Sequence, residues 1–140
     1  MSAATLYLPP VLSLVALSYL VALAILVTRS TDLLRGRRPL AFYEDFDGTG
    51  ASVAVMRPTR QLANLFEFPV LFYAASVLLI ALGLEDRLLP ELCRSYAVLR
   101  WLHAASQLWL NRLWLRTPLF MAGNLVLLAI WLRVALRVLG

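Results

Sequence analysis

The chain has 140 residues, 61% of them hydrophobic and 15% charged, with a formal net charge of +5. This composition excludes an ordinary soluble domain and reads as an integral membrane protein. All 13 basic residues are arginine. They flank apolar runs and form no separate basic domain, so membrane topology explains them and nucleic-acid binding does not. Cys93 and His103 are the only residues of their kinds, which excludes an intrachain disulfide and a Cys/His metal cluster. Cys93 reads as a small packing residue.

Taken in chain order, the apolar runs predict four helices joined into a single membrane domain over residues 1–140. The first spans about residues 10–29 and follows Pro9 and Pro10, which suit a helix start. No Lys or Arg precedes it, so it reads as a retained helix and not a cleaved signal. A long connection, about 30–56, carries turn signals at Gly36, Pro39 and Asp47-Gly48. It is read either as a solvated linker or as a segment with a direct role. The second helix, about 57–83, opens near Pro58 and stops at Gly83, before the polar LEDR. The third, about 90–115, has Pro90 in its first turn, and the fourth, about 118–138, opens at Pro118. Each run is long enough for a bilayer core of about 30 Å at about 1.5 Å per residue. The expected architecture is an all-α integral membrane protein, a four-transmembrane-helix bundle.

Arginine distribution orients the bundle. Arg29, Arg35, Arg37, Arg38, Arg57, Arg60, Arg112 and Arg116 fall on one side, against Arg87, Arg94, Arg133 and Arg137 on the other. This bias predicts a multi-pass protein with the long loop in the cytoplasm and both termini outside it; in a bacterium the site would be the inner membrane.

Within the predicted spans a few polar residues stand where lipid is the solvent, at roughly 2.5 to 3.5 kcal/mol for each charged group at mid-helix. With about 100° per residue and Arg57 at zero, Arg60, Asn64 and Glu67 fall at about 300°, 340° and 280°. With Arg100 at zero, His103, Gln107 and Asn111 fall at about 300°, 340° and 20°. Each helix therefore carries one polar stripe, and the two meet in the cytoplasmic half of the bundle. Pro69 lacks the amide that would bond to Leu65, which frees a carbonyl and kinks the helix beside Glu67. Asn124, alone on helix four, reads as helix-to-helix glue.

The arrangement Arg57, Arg60, Asn64, Glu67 with Pro69, continued by Arg100, His103 and Arg116-Thr117, resembles the MAPEG family, the membrane-associated proteins of eicosanoid and glutathione metabolism. The spacing is similar to that of the microsomal prostaglandin E synthase and glutathione transferase branch. The resemblance implies a homotrimer in the lipid bilayer, with glutathione bound between subunits near the cytoplasmic face and a small lipophilic substrate. Arg60, Asn64, Glu67, His103 and Gln107 would hold glutathione, and Arg116 with Thr117 would sit at its thiol. Arg100 would pair with Glu67 as a structural bridge. No metal is implied.

Ala63, Gln107 and Phe120 depart from the family pattern, which has a basic residue at the first position and tyrosines at the other two. The leading reading is a glutathione-dependent transferase or peroxidase. One alternative is a non-catalytic member with a degenerate glutathione site. Another is a small proton-coupled transporter that cycles a proton on Glu67.

Overall fold

Residues 2–44, 46–84 and 86–139 are described by the computed structural model, and no strand occurs among them. The helices are α1 (Ala3–Leu34), α2 (Ala41–Glu44), α3 (Val53–Leu65), α4 (Phe68–Ala81), α5 (Leu89–Ala105) and α6 (Leu113–Leu139), with a π-helical turn at Ser106–Leu110. Three helical stretches are long and apolar enough to cross a membrane: Ala3–Leu34, Val53–Ala81 and Leu113–Leu139. The second of these is α3 and α4 taken together. Asp45 in the long loop and Glu85 in the LEDR turn lie outside the described residues.

The first helix is longer than expected at both ends. Ser2 caps it, accepting from the Thr5 amide at 3.4 Å, and Pro9 and Pro10 sit inside it, where a membrane helix tolerates missing amides. Its far end closes as a Schellman motif: Gly36, at φ +63°, donates to Leu33 O at 2.9 Å, and Arg37 donates to Asp32 O at 3.1 Å. The long connection is correspondingly shorter, and it is folded. Tyr43 Oη donates to Asp32 Oδ2 at 2.8 Å, and Arg29 stacks over Phe46 at 4.2 Å.

The second predicted helix is two helices. α3 ends at Leu65, and Glu67, at φ −92° and ψ −107°, leaves the helical register before α4 starts. Pro69 stands at the second position of α4, where its missing amide has no intrahelical partner to lose. The third predicted helix also stops early. Asn111 adopts a left-handed conformation, φ 47° and ψ 35°, closing the π turn with a 2.7 Å bond from its amide to Ser106 O. α6 then begins five residues before Pro118 and carries that proline inside it.

Packing centres on α5, which lies against α1 and α6. Tyr7, Leu14, Leu17 and Val21 form a narrow stripe on α1 and bury it against Phe72, Leu79, Cys93, Tyr96 and Ile130. Cys93 is a fully buried packing residue. Phe72 and Tyr96 stack with centroids 4.7 Å apart, and Tyr7 Oη donates to Leu84 O at 2.9 Å. The outward faces stay apolar and exposed, as lipid-facing surfaces do.

A clasp fastens the end opposite the long loop. Asp86 Oδ1 accepts from the amides of Leu88 (2.8 Å) and Leu89 (3.2 Å), opening α5. Its Oδ2 accepts from Arg133 Nε and Nη2 (3.2 and 3.1 Å) and from Arg137 Nε and Nη2 (2.9 and 2.7 Å) on α6. Burial pushes the carboxyl up. The Arg137 bonds, the two amides and Arg133 outweigh that effect and hold it well below the usual carboxylate range.

Because the folded value lies below the unfolded one of about 3.9, this stabilisation is present above about pH 5 and is lost as the pH falls towards the folded value. Asp86→Asn should therefore cost about 2 to 3 kcal/mol at neutral pH, a buried-pair loss reduced because both arginines are partly exposed. Thermal melts in detergent should show the gap to the native chain narrowing below about pH 4. Equal melting at pH 7 would show that the clasp contributes nothing.

Candidate functional site

The polar residues of α3, α5 and the start of α6 converge on a seam at the loop end of the bundle. Two adjoining cavities mark it. One, of about 290 Å³, is lined by Arg57, Arg60, Gln107, Asn111 and Arg116, with Val53 and Met56 of the first turn of α3 and with Gly48 and Ala51 closing it from the loop side. The other, of about 200 Å³, is lined by Asn64, His103, Arg116, Thr117 and Phe120. Arg116 borders both. A larger hollow, about 510 Å³, is an apolar groove between α1, α3 and α5 that shares Arg57 with the polar seam.

Local backbone geometry sets the side chains in place. The break at residues 66–67 interrupts the carbonyl ladder at the end of α3, and Arg100 Nη2 donates to Asn64 O at 2.9 Å. Arg100 is 1% exposed, and its Nε and Nη1 are buried without a partner. Its guanidinium lies 5.8 Å from the centroid of Phe120. Asn64 Nδ2 donates to Gln107 Oε1 at 3.2 Å, and Arg57 Nη1 donates to Leu108 O at 3.3 Å, so α3 is tied to the π turn twice. His103 Nδ1 lies 3.2 Å from Arg116 O. A carbonyl only accepts, so this bond places a proton on Nδ1. Nε2 is buried and makes no hydrogen bond of good geometry among the described residues, with the Gln107 side chain close to the ring.

The sequence-predicted residues fall into two groups. Arg60, Asn64, His103, Gln107, Arg116 and Thr117 all line the seam. Glu67 does not: it is exposed and borders neither cavity. The expected Arg100–Glu67 ion pair is absent from the ion pairs of the described residues. The angle assigned to Glu67 assumed an unbroken helix, and the break takes it out of that register while Arg100 turns to a backbone carbonyl.

Sequence reasoning missed the π turn, the loop wall at Gly48 and Ala51, and the Asp86 clasp. Asn111 between two apolar runs was the available signal for the turn, since asparagine tolerates the left-handed region. π turns recur at functional sites, and this one carries Gln107 into the seam.

Fold and seam together define a helical membrane protein with arginines and polar side chains gathered around two cavities at its loop end. The sequence model of the MAPEG family matches residues 7–136, nearly the whole chain, and the protein belongs to that family. No curated protein and no solved structure is matched.

Asn111 offers a direct check on the turn. Asn111→Gly should leave stability within a few tenths of a kcal/mol of native, whereas Asn111→Val should cost about 1 to 2 kcal/mol, because a β-branched residue resists positive φ. Thermal melts of the two variants would separate these outcomes, and equal tolerance of valine would contradict the left-handed assignment.

Proposed function

We propose that the protein is a glutathione-dependent transferase or peroxidase acting on small lipophilic electrophiles. In this reading four spans form each subunit and three subunits form the oligomer. The fourth crossing is α5 with the π turn, 17 and five residues, about 33 Å at about 1.5 Å per residue and enough for the bilayer core. The arginine-rich loop end faces the cytoplasm and both termini lie opposite.

The observation that carries the reading is the combination of three arginines, Arg57, Arg60 and Arg116, around cavities beside orphaned buried nitrogens on Arg100 and His103. Orphaned buried polar groups, donors on Arg100 and an acceptor at His103 Nε2, are costly unless a ligand or water meets them. A peptide with two carboxylates, an ammonium and several amide groups suits that set of donors and acceptor. Arg57 and Arg60 would hold carboxylates, with bidentate geometry available to each guanidinium. Asn64 and His103 Nε2 would take amide or ammonium groups. Exposed Arg60 and Glu67 would be covered by the neighbouring subunit.

When bound, glutathione supplies a thiol nucleophile, which explains why no cysteine of the chain lies in the seam. Arg116 would favour the ionised sulfur of a thiol whose ordinary pKa is about 8.5. Thr117 offers a hydroxyl beside it. The apolar groove that shares Arg57 gives a lipophilic partner a way in from the bilayer.

A second reading, a non-catalytic member, draws on Gln107. Its oxygen is already engaged by Asn64, and Phe120 offers no hydroxyl. The transporter reading loses the intrasubunit polar setting it drew on, because Glu67 lies at the subunit surface and borders neither cavity.

Glutathione at a hundred times its Kd should stabilise the purified oligomer by about 2.7 kcal/mol, and Arg116→Ala should abolish turnover of an arylating electrophile. Stabilisation without turnover would favour the non-catalytic reading. No stabilisation at millimolar glutathione would refute the glutathione-dependent reading and leave the non-catalytic member with a degenerate site.

A further inference from the structure

The turn that closes α1 presents Arg35, Arg37 and Arg38 in a row of four residues, flanked by Leu34 and Leu40, which are 89% and 66% exposed. The Schellman motif fixes this turn, and the left-handed Gly36 has open space around it. Among the described residues the three arginines are only partly neutralised. Among the described residues their one ion pair is Arg37 with Asp32, at 3.9 Å, and Asp32 is buried and held by Tyr43. Arg38 Nη2 donates to Gly50 O, and Arg35 is fully at the surface. Asp47, the nearby acid with a fixed conformation, is bound to the Thr49 amide and hydroxyl.

The depth of the turn follows from α1. Thr28 lines the same groove as Trp109, which is 77% exposed, and exposed tryptophans collect at the headgroup level of a bilayer. Arg35 is seven residues beyond Thr28, about 10 Å further along the axis. That distance is about one Debye length at 0.1 M salt, so lipid charge is reduced but still felt at the turn.

We propose that this turn is a docking surface for anionic lipid headgroups, with Arg35, Arg37 and Arg38 gripping phosphate oxygens while the exposed Leu34 and Leu40 rest against the headgroup layer. Charge complementarity favours lipid as the occupant: the three cations are continuous with a membrane-crossing helix and are flanked by apolar side chains that a soluble acidic partner would leave wet. A basic residue near an anionic surface favours contact by about fivefold in partitioning. The proposal is independent of the glutathione reading.

The test uses the full chain in nanodiscs of phosphatidylcholine alone or mixed with phosphatidylglycerol, with retained lipid identified by mass spectrometry after detergent extraction. Native protein should retain phosphatidylglycerol preferentially. Replacing all three arginines by glutamine should cut that preference by well over tenfold, whereas replacing them by lysine should keep most of it. If the glutamine variant does not fold, a salt titration of the native protein decides, because preference through this turn must weaken as ionic strength rises. Equal retention by native and glutamine variants, or a preference insensitive to salt, would overturn the proposal.

Discussion

A guanidinium in the middle of a lipid-facing bundle must find its hydrogen-bond partners inside the protein. Arg100 finds one in a backbone carbonyl, and the chain makes that carbonyl available by interrupting its own helix. The break at residues 66–67, the proline at the start of α4 and the exposure of Glu67 all follow from this arrangement. The two nitrogens of Arg100 that remain unpartnered are the reason the seam reads as a site and not only as glue.

The two ends of the bundle handle charge differently. At one end Asp86 is saturated by two arginines and two amides, and every lone pair is used to hold α5 and α6 together. At the loop end arginines outnumber the carboxylates that meet them, and polar atoms are left over. A saturated network fixes structure; an unsaturated one offers binding. This contrast is why the proposed site is put at the loop end. The same excess of cations underlies the proposed contact of the α1 turn with lipid phosphate.

Much of this was legible in the sequence. Long apolar runs gave α1 and α6, and helical periodicity grouped Arg57, Arg60 and Asn64 because α3 stays regular through Leu65. It grouped Arg100 with His103 for the same reason, since α5 stays regular through Ala105. What was lost lies where regularity ends. Hydropathy does not register one missing amide, so Pro69 was read as a kink inside a helix when it starts a new one, and Glu67 was assigned an angle it does not have. Asn111 looked like one more polar residue on a stripe because its angle assumed an α-helix through that point, a register that the π turn and its own left-handed conformation break. Asp86 meets arginines 47 and 51 residues away, a pairing that no local pattern encodes.

The account rests on the seam between α3, α5 and the start of α6 being a binding site for a thiol peptide. Cryo-electron microscopy of the protein in nanodiscs with glutathione tests this most directly. The account predicts tripeptide density beside Arg60, Asn64, His103 and Arg116, with the sulfur towards Arg116 and Thr117. A well-resolved map in which that seam holds only water, or in which glutathione lies elsewhere, would contradict it.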